Sequence, residues 1–180
     1  MRIDFDEAGW AIGRVDPLAA PDAWSLLSPE QGARIDEARW AHQARTFFRA
    51  ELALTQPKSY PSGATPIADA ALVDVAPKGG ASTRVLVITV PLDRAPGVRA
   101  AALAAVAAIG GAGMDALVAR ARRVWQVRAA VPEGSDARAA LACAAVLASV
   151  YLAPIVPPDE AAIFGVKGAR ERLEKRGWRT

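Results

Sequence analysis

Apolar and polar positions alternate at the start of the chain. Arg2-Ile3-Asp4-Phe5-Asp6 and Trp10-Ala11-Ile12-Gly13-Arg14-Val15 flank the turn-forming Glu7-Ala8-Gly9, and a period of two around a glycine predicts a hairpin. Pro17 and Pro21 mark an irregular connection, and Asp22 is placed to cap a short turn containing Trp24, Leu26 and Leu27. Ser28-Pro29-Glu30-Gln31 then has the spacing of a capping box with proline at the first helical position. It predicts a helix from Ser28 to about Leu54, stopping before Thr55-Gln56-Pro57. The stretch PKSYPSGATP is too rich in proline and glycine for anything but a loop. Its Lys58, Ser59, Tyr60 and Thr65 are suited to covering a pocket.

Two strand-like runs follow, Ala71–Val75 and Thr83–Val90, joined by Pro77-Lys78-Gly79-Gly80-Ala81. They predict a second hairpin. The second run is apolar at almost every position, as a central strand covered on both faces is. Pro96-Gly97 opens an Ala-rich helix to about Ile109, and Gly110-Gly111-Ala112-Gly113 breaks it. Met114 to Arg122 is a further helical piece, Val124–Arg128 a further strand, and Ser135 or Asp136 starts an apolar helix. After Pro157-Pro158, Asp159-Glu160 open a last, strongly charged helix that ends near Gly177. The order ββ–α–ββ–αα–β–αα predicts an α+β fold, a mostly antiparallel sheet of about five strands with four to five helices packed on it. No repeat and no long linker divides the chain, so residues 1–180 are expected to form a single domain.

Composition narrows the function classes. Hydrophobic residues make up 52% and charged residues 23%, ample for a core and against disorder. Much of the apolar content is Ala, which favours close helix packing. The net charge of +3 comes from 22 basic and 19 acidic residues, a mixed surface that disfavours a nucleic-acid partner. The single Cys143 cannot form an intramolecular disulfide, and its apolar surroundings in sequence predict a buried, inert thiol. The N-terminus carries acids where a secretory signal has basic residues. Ala139 to Val156 carries no charge, but its alanines and Pro154 suit a buried helix better than a membrane span. A soluble, cytoplasmic protein with no membrane association is expected.

Candidate chemistry is sparse. On a helix over 28–54, Arg34, Ala38, His42, Arg45 and Arg49 fall within about 80° of one another, while Trp40, Ala41, Ala44, Phe47, Phe48 and Leu52 gather elsewhere. The stripe reads as a solvated face or as an anion-recognition face on which guanidinium groups take phosphate or carboxylate and His42 titrates. Glu37 and Glu51 would stand about 21 Å apart on that helix, too far to act as a pair. Asp93 and Arg94 are the charged side chains of the βα junction Pro91–Gly97, a place where sheets often bind ligands, although the two can pair with each other. The glycines at 110–113 follow a helix rather than a strand, so a helix–helix corner is expected and not a phosphate loop.

With one His and one Cys, zinc sites built from several such ligands are excluded, and no clustered acidic motif points to another metal. No serine sits in a nucleophile-elbow pattern. No cofactor is expected. The basic and acidic residues of GARERLEKRGWRT predict an ion-paired helix end, with Trp178 tucked onto the body or held by a partner. WSLLSPEQGARIDEARWAHQARTFFRAELAL resembles a stretch near the start of phosphopantetheinyl transferases, but the tryptophan-lysine-glutamate motif of that family is missing, and no family is assigned.

Two functions follow. The first is a protein that acts by binding, as a homo-oligomer or as an accessory subunit to a protein partner, because scattered Trp residues and Ala-rich helices exceed what one core hides. The alternative is an enzyme or binding protein for a small anion, using Arg45, Arg49, His42 and Arg94.

Overall fold

A computed structural model describes residues 3–32, 34–54, 68–131 and 134–179. Its frame is one antiparallel sheet of six strands, β1 (Trp24–Ser28), β2 (Ala50–Leu54), β3 (Ala70–Pro77), β4 (Thr83–Pro91), β5 (Arg123–Ala129) and β6 (Ile155–Val156), in the order β2-β3-β4-β5-β1-β6. Among the described residues, five helices complete it: α1 (Glu37–Phe48), α2 (Pro96–Ala108), α3 (Met114–Arg120), α4 (Ala137–Tyr151) and α5 (Val166–Lys175). The α+β class and the antiparallel sheet are as the pattern predicts.

The two faces of the sheet explain the continuous apolar run in β4. Val85 and Val87 point into a core shared with α1, α4 and α5, whereas Leu86, Ile88 and Val90 point into a second core beneath α2 and α3. With side chains alternating across the pleat, a strand covered on both faces must be apolar throughout. The β3–β4 hairpin pairs Leu72 with Leu86 and Asp74 with Arg84. Helix α4 lies along the first face against β1, β3, β4 and β5. It is capped by the Asp136 carboxylate, and its alanines allow the close approach. No helix among the described residues is long and apolar enough to cross a membrane.

Four predicted elements differ. Trp24–Ser28 is a strand rather than a turn and the lead-in to a helix. It is buried along its whole length between β5 and β6, with Ser25 Oγ accepting from the Gln126 amide at 3.2 Å. The helix expected over 28–54 is shorter at both ends. Its cap is Asp36, which accepts from the Arg39 N–H at 3.0 Å. It stops at Arg49, whose left-handed backbone (φ 46°) turns the chain back so that residues 50–54 pair with β3. Ala50, Leu52 and Leu54 are buried there while Glu51 and Ala53 are exposed. Ala, Glu and Leu favour helix, but pairing with β3 outweighs a propensity of a few tenths of a kcal/mol per residue.

At the other end, the last helix begins at Val166, because residues 155–156 join the sheet edge as β6 and Ile155 bridges Phe164. The N-terminal hairpin shrinks to a single Phe5–Ala11 bridge around Gly9 (φ 84°), and Trp10 bridges onto Ala71 of β3. Residues 110–113 are the helix–helix corner expected, with all three glycines at positive φ. Trp178 tucks back, its indole N–H donating to the Phe48 carbonyl at 3.0 Å. The predicted loop at 57–66 lies outside the described residues.

Candidate functional site

The four residues singled out from the sequence are not gathered in one place. His42 is exposed on α1. Arg45 approaches Glu51 at 3.9 Å, with both side chains more than half exposed. Together with Glu37, they line one cleft, because the reversal at Arg49 folds β2 back beside α1. The long helical separation expected for the two glutamates therefore does not exist, yet Glu37 is already engaged, accepting from the Leu54 N–H at 3.1 Å. Arg49 lines a different cleft with Lys78, Arg138 and Arg179. Arg94 does not pair with Asp93. Its guanidinium donates to Asp69 at 3.3 Å and to the Val15 carbonyl at 2.6 Å, pinning the N-terminal segment to the start of β3.

A third cleft, of about 460 Å³, opens where β4 ends and β5 begins. Sheet register puts Arg123 opposite both Pro91 and Ser28, so the first residue of β5 sits between the ends of its two neighbours. Arg122 precedes it, held by its N–H to the Ser28 carbonyl at 2.8 Å and by its own carbonyl accepting from Leu92 at 2.9 Å. Arg99 comes from the first turn of α2, Asp93 from the 3₁₀ turn after β4, and Gln31 from the connection after β1. Three guanidinium groups and one carboxylate thus line one cleft.

Arg123 is the unusual member. It is only 9% exposed and is the one charged side chain in the buried class among the described residues. Its Nε donates to the Gln31 carbonyl at 2.8 Å and one terminal nitrogen donates to Thr89 Oγ1 at 3.3 Å, so both acceptors are neutral. No carboxylate lies within 4.0 Å of it among the described residues. Burial pushes its guanidinium below the ordinary value for arginine. Asp69 opposes this from a distance, and Arg94 adds to the lowering. A buried charge without a counter-ion is costly, and an anion entering the cleft supplies what the fold leaves out.

The sequence pattern marks the junction that carries Asp93 but gives Arg122 and Arg123 only as a helix end and a strand lead-in. The available signal was a pair of arginines directly before a strand with an apolar face. Among the described residues, no three His, Cys, Asp or Glu side chains are gathered to hold a metal ion.

The fold defines an α+β protein whose single antiparallel sheet carries helices on both faces, with an arginine-lined cleft at one end of its central strands. No protein-family model, curated protein or solved structure matches the chain.

Proposed function

We propose that the protein binds a small anion, a phosphate or carboxylate, in the cleft lined by Arg99, Arg122 and Arg123. The observation that carries this reading is the buried Arg123 guanidinium, bonded only to neutral acceptors beside two further arginines. Arginine offers paired donors to either anion. Isothermal titration with inorganic phosphate and with succinate tests it. Binding is expected in the wild type and is lost in Arg123→Met, while an Arg45→Ala, Arg49→Ala double variant keeps it. If the double variant loses binding and Arg123→Met retains it, the anion site lies on α1 instead. We further propose a cytoplasmic location, with which a chain whose one cysteine can form no intramolecular disulfide is in keeping.

A second reading, self-association, is favoured by the outer face of α2. Ala100, Leu103, Ala104, Ala107 and Ala108 are exposed there without a charge among them, Leu103 by 53%. Small residues along a helix let a second helix approach closely, and a contiguous apolar patch marks an interaction surface. Light scattering after size exclusion is expected to show a dimer that Leu103→Glu converts to monomer. A wild type that stays monomeric at high concentration removes this reading.

A further inference from the structure

The Arg123 cleft carries a group that a site for a bare anion does not need. Asp93 sits on its wall beside three arginines, and a fixed carboxylate there repels any anion that enters. The arrangement is not an internal salt bridge. Among the described residues, no ion pair within 4.0 Å joins Asp93 to Arg99, Arg122 or Arg123, and the neighbouring Arg94 is turned towards Asp69 and Asp16. Each charge is held by its own piece of backbone: Asp93 by the 3₁₀ turn after β4, Arg122 and Arg123 by the start of β5, and Arg99 by α2. Opposite charges are therefore presented in one cleft without neutralising each other. A ligand need break no internal pair to reach them, and pre-organised groups of this kind lower the cost of binding.

We propose that the ligand is a small zwitterion, an acid that also carries an ammonium group. Its acid group is set against Arg99, Arg122 and Arg123, and its ammonium against Asp93. The proposal rests on the anion reading and narrows it. Three guanidiniums against one carboxylate favour a ligand with more negative than positive charge, such as an acidic amino acid or an amino-phosphate. The volume of about 460 Å³ lies within the range of small-molecule sites, about 300–1,000 Å³. Asp93 then acts as a selector, attracting the ammonium-bearing member of a pair and repelling its plain counterpart.

Matched ligands test this on the full chain by isothermal titration: glutamate against glutarate, and phosphoethanolamine against ethyl phosphate, each with wild type and with Asp93→Asn. The ammonium-bearing member is expected to bind the wild type about tenfold more tightly. Asp93→Asn is expected to erase that preference while leaving glutarate and ethyl phosphate bound as well as before, or better. Asp93 is exposed, so the variant is expected to fold, and an unchanged melting curve checks this. Equal wild-type affinity within each pair, or a preference that survives Asp93→Asn, overturns the zwitterion proposal and leaves the anion reading standing. Failure of all four ligands to bind, or binding that Arg123→Met does not alter, overturns the anion reading and this proposal with it.

Discussion

The indole N–H of Trp40 donates to the hydroxyl of Tyr151 at 3.0 Å, a bond between α1 and the last residue of α4. The Tyr151 ring lies nearly parallel to that of Trp125, with centroids 4.7 Å apart and an interplanar angle of 12°, while Trp40 meets Trp125 edge-on at 5.6 Å. Three aromatic side chains from two helices and the sheet thus close one core around the Tyr151 hydroxyl, which accepts from Trp40 and donates to the Arg34 carbonyl at 3.4 Å.

Tyr151→Phe keeps the stacking and removes the bond, leaving the Trp40 N–H buried without an acceptor. The expected cost is about 1–3 kcal/mol at neutral pH, read from urea unfolding followed by Trp fluorescence. Burial pushes the Tyr151 phenol up from 10.0 to about 12, the Trp40 hydrogen bond acting in the opposite sense. A folded-state value raised above the unfolded one means stability that is complete below pH 10 and drains away as the pH rises towards 12. The gap between wild type and Tyr151→Phe should therefore narrow over that interval. A gap that is constant or widens there contradicts the assignment.

Asp136 caps α4 by accepting from the Arg138 N–H at 2.9 Å, and it also holds the Arg138 guanidinium through both carboxylate oxygens, the shortest contact being 2.7 Å. The Arg138 side-chain bond does most to draw the Asp136 carboxyl below the ordinary 3.8. Asp136→Ala is expected to cost about 1–2 kcal/mol at pH 7. Because the folded-state value is lowered, this contribution is present above the ordinary 3.8 and is lost as the pH falls through the folded value. Thermal melts of both proteins at pH 7 and at pH 2.5–3 (about one unit below an ordinary carboxyl) should show the difference in Tm shrinking in acid. An undiminished difference there would show that the carboxylate charge is not what stabilises α4.

Leu152 ends α4 in the left-handed region (φ 51°), and it is 76% exposed. A residue with a Cβ is strained there, and its apolar side chain is largely in water. Leu152→Gly relieves the strain at little packing cost and is expected to raise stability by about 0.5–1 kcal/mol, after the greater freedom of glycine in the unfolded chain is deducted. Denaturant midpoints at equal m-value provide the comparison, and a lowered midpoint would show that Leu152 packs usefully despite its exposure.

Much of the fold was legible because its signals are local. Pro96 opening α2, Asp136 capping α4, the glycines of the corner at 110–113 and the unbroken apolar run of β4 all act within a few residues of themselves. Trp24–Ser28 and Ala50–Leu54 are not legible as strands, because five residues of mixed apolar and polar character fit a helix face nearly as well as a strand. Their state depends on β5, β6 and β3, which come much later in the chain.

The cleft follows the same division. Asp93 is legible because it stands in a junction between strand and helix, a feature of neighbouring sequence. Arg123 is not, because its meaning lies in burial and in its bonds to Gln31 and Thr89, which are 92 and 34 residues away. The amino-acid order alone determined the class of fold, the central hairpin and the helix over 96–108, since periodicity, caps and turns are short-range physics. Only the tertiary structure decided which strands flank β5, that the chain doubles back at Arg49, and that three arginines and one aspartate share a cleft. Those outcomes depend on contacts between distant segments and on which charges lose their water, and both are set by packing.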